Sequence, residues 1–419
     1  MRGVANDSDE GPKPARTDRR TTGSIAPVGR GSLRWLFVLV GALALSEVMF
    51  YSVLAPLLPY YSRHLHLSKS AAGLLSASYA IGTLVSAIPL GMLVARVGAK
   101  RATVCSAFLL ACASIGFGLS HSVMALDTAR LTQGVAGAGT WVGSLTWLLG
   151  SAPAHRRGET VGAVLGIGIG GALLGPVIGS VAELSEPRLV FGAVALLIFV
   201  LTGVAIATPS PIEVKRGLAR GALRAVGRDR RLLGGMWFTA LPAALFGVLN
   251  VLAPLRLSAV GAGTVAIGAV FLMSAAIEAA ASPLFGRLSD RRGPLPMIRV
   301  GLACSALLAV LLPLPDVAWL VGLATALAGV TFGMAWVPAS ALLSAGAEEQ
   351  GLHPGLAYAL WNFAWAIGLT LGSAVGAPLA QATDDAVPYG LLAALCAGTL
   401  VVIRRRRRNR LELQPTRTH

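Results

Sequence analysis

Twelve apolar runs follow one another between residues 35 and 403, each near the ~20 residues that a helix needs to cross hydrocarbon. They cover 35–58, 71–94, 102–120, 123–149, 160–182, 189–208, 234–255, 264–285, 297–315, 317–343, 356–380 and 387–403. In lipid, every backbone N–H and C=O has to find a partner inside its own segment, so the runs are predicted to be helices. Composition agrees. The chain is 55% hydrophobic and only 13% charged, where a soluble chain carries roughly twice that charge. The expected fold class is an all-α membrane protein with 12 transmembrane helices, and its first partner is the lipid bilayer.

The charge balance, 35 basic against 19 acidic residues, at first suggests nucleic acid. Its placement argues otherwise. Arg63, Lys69, Arg188 and Arg256 fall in loops on one side of the runs and Arg130 falls inside one. All other Lys and Arg lie in loops and tails on the opposite side, save Arg299, which stands at the start of a run on that same side. That asymmetry predicts a multi-pass protein of the cell membrane with both termini cytoplasmic and no nucleic-acid partner. Residues 1–33 read as a disordered tail without a cleavable signal, and 209–233 as a cytoplasmic linker between a bundle at 34–208 and another at 234–403. The tail 404–419, opening with Arg404 to Arg408, is placed against anionic headgroups. Cys105, Cys112, Cys304 and Cys396 all lie in apolar runs, read as small buried hydrophobes, and show no disulfide or metal spacing. No phosphate-binding glycine loop, metal cluster or nucleophile elbow occurs, so neither an enzyme nor a cofactor is expected.

A short basic loop recurs. Gly91, Arg96, Gly98, Lys100 and Arg101 follow the second run, and Gly286, Asp290, Arg291 and Gly293 follow the eighth. Gly91 and Gly286 are 195 residues apart, so two related halves are expected, with glycines allowing close approach and sharp turns. This loop resembles that of the major facilitator superfamily, with Ala95 where the family prefers Asp. The resemblance extends from Trp35 to Ile403. It implies two pseudo-symmetric six-helix bundles with a cavity between them near the membrane midplane, in a monomer. Asp290 is expected near the start of helix five, around Arg157 to Thr160, as a cytoplasmic latch.

Ionisable groups inside a bilayer are costly and are functional candidates by default. Glu47 lies ~19 Å from the cytoplasmic end of the first run and Arg130 ~10 Å from the outer end of the fourth, at similar depth. A Glu47–Arg130 ion pair is therefore expected, either as a static tie between helices or as a carboxylate that trades its arginine for a proton or a cation. Glu278, in the eighth run, has no evident basic partner. It reads as a proton or cation site, or as a protonated Glu bonded to a neighbouring helix. Arg130 with Gln133, Gly134, Gly137 and Ala138 is similar to the superfamily's fourth-helix motif, whose arginine is linked to proton coupling.

Gly171, Gly175, Pro176 and Gly179 give the fifth run small residues at helical spacing and a proline kink. The whole pattern resembles the antiporter motif of drug:proton exporters. A partner recurs at Gly368, Gly372, Ser373 and Gly376. Tyr358 to Trp365, with Ala55 to Tyr60, is similar to the vesicular amine transporter-like branch, which has Asp where Asn362 stands. Trp361 and Trp365, one turn apart beside Asn362, suit a planar amphipathic ligand, or else are lipid-facing. Asn250 and Gln133 are further uncharged candidates for contact with that ligand. These features lead to the expectation of a proton-coupled exporter of small amphipathic compounds. An importer of a small metabolite, or a transporter-like receptor that moves nothing, are the alternatives.

Overall fold

In a computed structural model of the protein, residues 30–151, 157–209, 227–350 and 354–412 are described, with side chains over 34–151, 166–209, 227–350 and 359–405. Most of the expected N-terminal tail, most of the central linker and the end of the C-terminal tail lie outside these residues. The described chain is built of α-helices: α1 (Arg30–Ser52), α2 (Leu54–His64), α3 (Lys69–Val97), α4 (Ala99–Gly118), α5 (Val123–Ser151), α6 (Arg157–Leu184) and α7 (Pro187–Ala207) form the first half. The second half holds α8 (Arg230–Ala259), α9 (Thr264–Arg292), α10 (Pro294–Leu311), α11 (Ala318–Gly333), α12 (Trp336–Glu349), α13 (Pro354–Ala382) and α14 (Ala386–Glu412).

Each of the twelve runs is helical, and two are broken. The first divides at Val53 into α1 and α2, and the tenth at Met334–Ala335 into α11 and α12. Proline lies just beyond each break. Pro56 cannot return a hydrogen bond to the carbonyl of Ser52, nor Pro338 to that of Met334. Eleven segments among the described residues are long and apolar enough to cross a bilayer. The exception is α5, whose Asp127, Arg130 and Gln133 and many Gly and Thr residues lower its hydropathy. That is tolerable because α5 is largely enclosed by α3 and α4 rather than by lipid.

The two halves repeat in their packing register as well as in sequence. Gly98 ends α3 with φ 96° and Gly293 ends α9 with φ 81°, so both basic loops turn on a left-handed residue that glycine supplies without strain. Gly171, Gly175 and Gly179 of α6 press on the backbone carbonyls of Leu45, Met49 and Val53 in the first span. Gly368 and Gly372 of α13 press on the carbonyls of Ala240 and Ala244 in α8, and Gly376 meets the Val248 side chain. Each second-half partner stands 195 residues after its first-half counterpart, as in Leu45 and Ala240. Small residues at this spacing let helices pack backbone to backbone where lipid offers no hydrophobic drive.

The halves meet at the face opposite the termini and at mid-depth. A Cβ at Gly73 of α3 would lie 2.6 Å from the carbonyl oxygen of Ser373 and 2.5 Å from the Ala377 Cβ. One at Gly268 of α9 would strike the Ser180 hydroxyl. Lys69 pairs with Asp385 at 2.6 Å, Arg63 donates to Ser258 at 3.1 Å, and the Ser70 N–H donates to Gln381 at 2.8 Å. Among the described residues these contacts, with Ser180 to the Thr264 carbonyl and Ser373 to Ser76, tie that face together.

Candidate functional site

The break after Ser52 leaves a helix C-terminus at mid-depth, and its carbonyls need donors. Arg130 of α5 supplies them. It donates to the Phe50 carbonyl at 2.6 Å and the Tyr51 carbonyl at 3.4 Å, and to Gln133 Oε1 at 3.1 Å. Its guanidinium lies 4.8 Å from the Tyr79 ring centroid and 6.0 Å from that of Phe117. Arg130 is 1% exposed. A buried cation is thus matched by the negative end of a helix and by two aromatic faces.

The expected Glu47–Arg130 ion pair is not formed. Among the described residues no carboxylate lies within 4 Å of Arg130. Glu47 instead accepts the Tyr79 hydroxyl at 2.6 Å. Similar depth along two helices says nothing about azimuth, and the Tyr79 side chain, bonded to Glu47 and 4.8 Å from the guanidinium, stands between the two groups. Gln133, expected to touch substrate, is fully buried in the arginine cluster, its Nε2 without a partner among the described residues.

Glu278, half-buried on α9, has no side-chain hydrogen bond or ion pair among the described residues. Its carboxyl fits against Gly333, where a Cβ would lie 2.5 Å from Oε1. One turn beyond Glu47 stands Tyr51. Asn250 of α8 donates to its hydroxyl at 3.0 Å, Trp365 of α13 meets its ring edge-on at 5.0 Å, and the Tyr79 ring lies 6.0 Å away. Asn250 and Trp365, both of the second half, are therefore brought together on Tyr51 of the first. Trp361 is directed elsewhere. It packs edge-on against Trp336 at 6.1 Å and against the small cluster of Leu232, Leu343, Ala347 and Leu360. Asn362 is half-buried beside them.

Sequence reasoning passed over Tyr51, Tyr79 and Asp127. The signal was available for the tyrosines, since a phenol in mid-run carries a hydroxyl that must find a partner once buried. Asp127, one turn before Arg130, takes a hydrogen bond from Ser78 at 3.4 Å. The cysteines also differ from expectation, because Cys105 and Cys112 are exposed on the bundle's flank and only Cys396 is buried. Two grooves of about 440 and 590 Å³ lie beside Trp319 and Cys112 respectively, and neither is lined by the expected site residues.

Of the motif residues, Gly175 makes the close approach expected of it, against Ser52 and the Met49 carbonyl. Gly91 does not, since a Cβ there would meet nothing within 4 Å. Gly286 is similarly loose, with Val337 at 3.8 Å. Lys100 secures the end of α7, donating to the carbonyls of Ile206 at 2.8 Å and Thr208 at 2.7 Å. Arg96, Arg101, Asp290 and Arg291 are exposed. The expected latch partner of Asp290, around Arg157 to Thr160, lies outside the described side chains.

Comparison with known proteins agrees with this architecture. The sequence profile of the Major Facilitator Superfamily matches residues 36–373. The human MFS-type transporter SLC18B1 is 25% identical over 395 residues, spanning 88% of this chain and 85% of the relative. A chloramphenicol resistance protein of Streptomyces lividans is 31% identical over 297 residues, spanning 65% and 72%. Among solved structures, a bacterial homolog of the human lysosomal transporter Spinster superposes with a TM-score of 0.71 at 14% identity, covering 89% of this chain and 95% of that one. The nucleoside transporter NupG gives 0.69 at 14%, covering 88% and 98%. The chain belongs to the Major Facilitator Superfamily.

Proposed function

We propose that this transporter exports small amphipathic compounds in exchange for protons, by alternating access across the cell membrane, with both termini in the cytoplasm. It moves its substrate chemically unchanged. The observation that carries the reading is where the glycine stretch of α6 grips the first span. Gly171 and Gly175 seat on the carbonyls of Leu45 and Met49, the two residues that bracket Glu47. The stretch that resembles the drug-exporter motif therefore holds the segment bearing the intramembrane carboxyl. A sliding of α6 on α1 would move that carboxyl between environments. The similarity to a chloramphenicol resistance protein supports export, and Glu47 and Glu278 supply acids that can carry a proton.

In this reading Tyr51, Asn250 and Trp365 form the contact surface for an amphipathic ligand, with ring faces for its apolar part and an amide for its polar part. Asn362 and Trp361 border that surface, and the closed face described above is the outer one. The test is survival of an exporter-deficient bacterial host on chloramphenicol and other amphipathic antibiotics. Expression should raise tolerance, and a protonophore or Gly175→Leu should abolish the gain. Unchanged tolerance to every compound, or drug accumulation that rises on expression, would contradict export.

A further inference from the structure

We propose that Tyr79 is the positioning residue of the proton site, holding the Glu47 carboxyl toward the interior and apart from Arg130. The inference rests on the reading of Glu47 as the proton carrier. Tyr79 is fully buried and is gripped at both ends. Its backbone carbonyl is pressed by Gly134, and a Cβ at Gly137 would lie 2.6 Å from its hydroxyl and 3.0 Å from Glu47 Oε1. The two glycines of α5 leave one slot, and phenol and carboxyl fill it together. The 2.6 Å hydrogen bond is a close one, with the Tyr79 hydroxyl donating to the Glu47 carboxyl.

The ring's other contact decides its role. Arg130 lies against the face of Tyr79, and its N–H donors are directed to the carbonyls of Phe50 and Tyr51. A carboxylate paired directly with a guanidinium would resist protonation, whereas one held by a phenol stays exchangeable. Among the described residues, the charged or titratable groups around Glu47 are Tyr79 of α3, Arg130 of α5 behind the ring, and Tyr51 of its own helix. Glu278 of α9 acts on Tyr51 only at a distance, without a hydrogen bond to it. The facing stretch of α6, Gly168 to Gly179, carries none. When Glu47 releases its proton to water in the interior, the carboxylate keeps the Tyr79 O–H as donor. The tyrosine remains protonated throughout, so one proton leaves and one carboxylate forms.

The test is pH-induced infrared difference spectroscopy of the full chain in lipid nanodiscs, with pH itself as the probe. Wild type should show a titrating carboxyl band that Glu47→Gln removes. In Tyr79→Phe, which keeps the ring over Arg130, that band should persist at a changed frequency, with its midpoint displaced by about one pH unit or more. A second signature needs no change at Tyr79: a tyrosine ring band should titrate together with the carboxyl in wild type and vanish in Glu47→Gln. A Glu47 band indifferent to Tyr79→Phe, or with no accompanying tyrosine band, would overturn the role of Tyr79 alone. Absence of any Glu47-dependent band would overturn the proton site itself, and this inference with it.

Discussion

Glu47 and Glu278 both lie against a glycine, Gly137 on α5 and Gly333 on α11, and these glycines stand 196 residues apart, one residue out of step with the repeat. The surroundings diverge from there. In the first half the niche is completed by Arg130, Tyr79 and Gln133. At the positions 195 residues downstream stand Thr325, Ser274 and Ala328, all small and neutral. The carboxylates themselves are not at equivalent positions, since Glu47 corresponds to Pro242 and Glu278 to Thr83. The repeat thus preserved helix packing while the chemistry was placed separately in each half. One half holds its carboxyl with a donor, and the other leaves it without a side-chain partner.

The largest expected effect separates two accounts of Arg130. If it neutralised Glu47 directly, Glu47→Gln would rescue Arg130→Ala by removing the uncompensated charge. The geometry predicts no rescue, because the loss falls on the carbonyls of Phe50 and Tyr51 at the break in the first span. Arg130→Ala should cost about 3 kcal/mol or more, read as a lowered melting temperature in detergent and lost transport. Recovery in the double variant would restore the ion-pair account.

Next in size is the contrast between the carboxylates. Glu47→Gln should abolish uphill transport while leaving ligand binding. Glu278→Gln should lower uphill transport by less than about tenfold, equivalent to ~1.4 kcal/mol. Equal and complete losses would mean that the two halves share the coupling.

The glycine niches sharpen the comparison further. Gly333→Ala should destabilise by about 1–3 kcal/mol through overpacking, and Glu278→Ala should relieve it, since Glu278 atoms are the three nearest neighbours of that Cβ. Gly137→Ala should cost a similar amount but resist relief by Glu47→Ala, because the Tyr79 hydroxyl crowds the same space. Thermal melts of the four variants and the two doubles decide the matter.

How much of this was legible in the sequence follows from what one-dimensional patterns encode. Run length gave the helices, and the paired loops and glycine stretches gave the repeat, because both are backbone constraints with fixed spacing. The breaks at Val53 and Met334 were legible in principle from Pro56 and Pro338. The site was legible only in part. Glu47, Arg130 and Glu278 stand out as charges in apolar runs, yet their partners depend on helix rotation. Rotation placed the Tyr79 ring in the gap, turned Gln133 into the arginine cluster and directed Trp361 away from Trp365. Asn250 meets Tyr51 across two halves 199 residues apart, a pairing that no local pattern encodes.

The smallest effect lies outside the membrane, where α8 begins. Asp229 caps that helix, accepting the N–H of Arg231 at 2.6 Å and of Leu232 at 3.1 Å, with Gln350 donating to its other oxygen at 2.9 Å. Arg231 also pairs with Glu349. The backbone N–H of Leu232, then that of Arg231, hold the Asp229 carboxyl below its ordinary value. A depressed carboxyl stabilises above its unfolded value and loses that contribution as pH falls through the folded one. Acidifying below the ordinary Asp range should therefore lower the melting temperature slightly less in Asp229→Asn than in wild type. Identical acid profiles would show that the cap does not titrate with folding.

The most direct test of the central claim is proton release measured with a pH indicator in weakly buffered detergent, on adding a compound to which expression confers tolerance. The account predicts release from wild type, none from Glu47→Gln, and release close to wild type from Glu278→Gln. Undiminished release from Glu47→Gln would contradict it and transfer the coupling proton to Glu278.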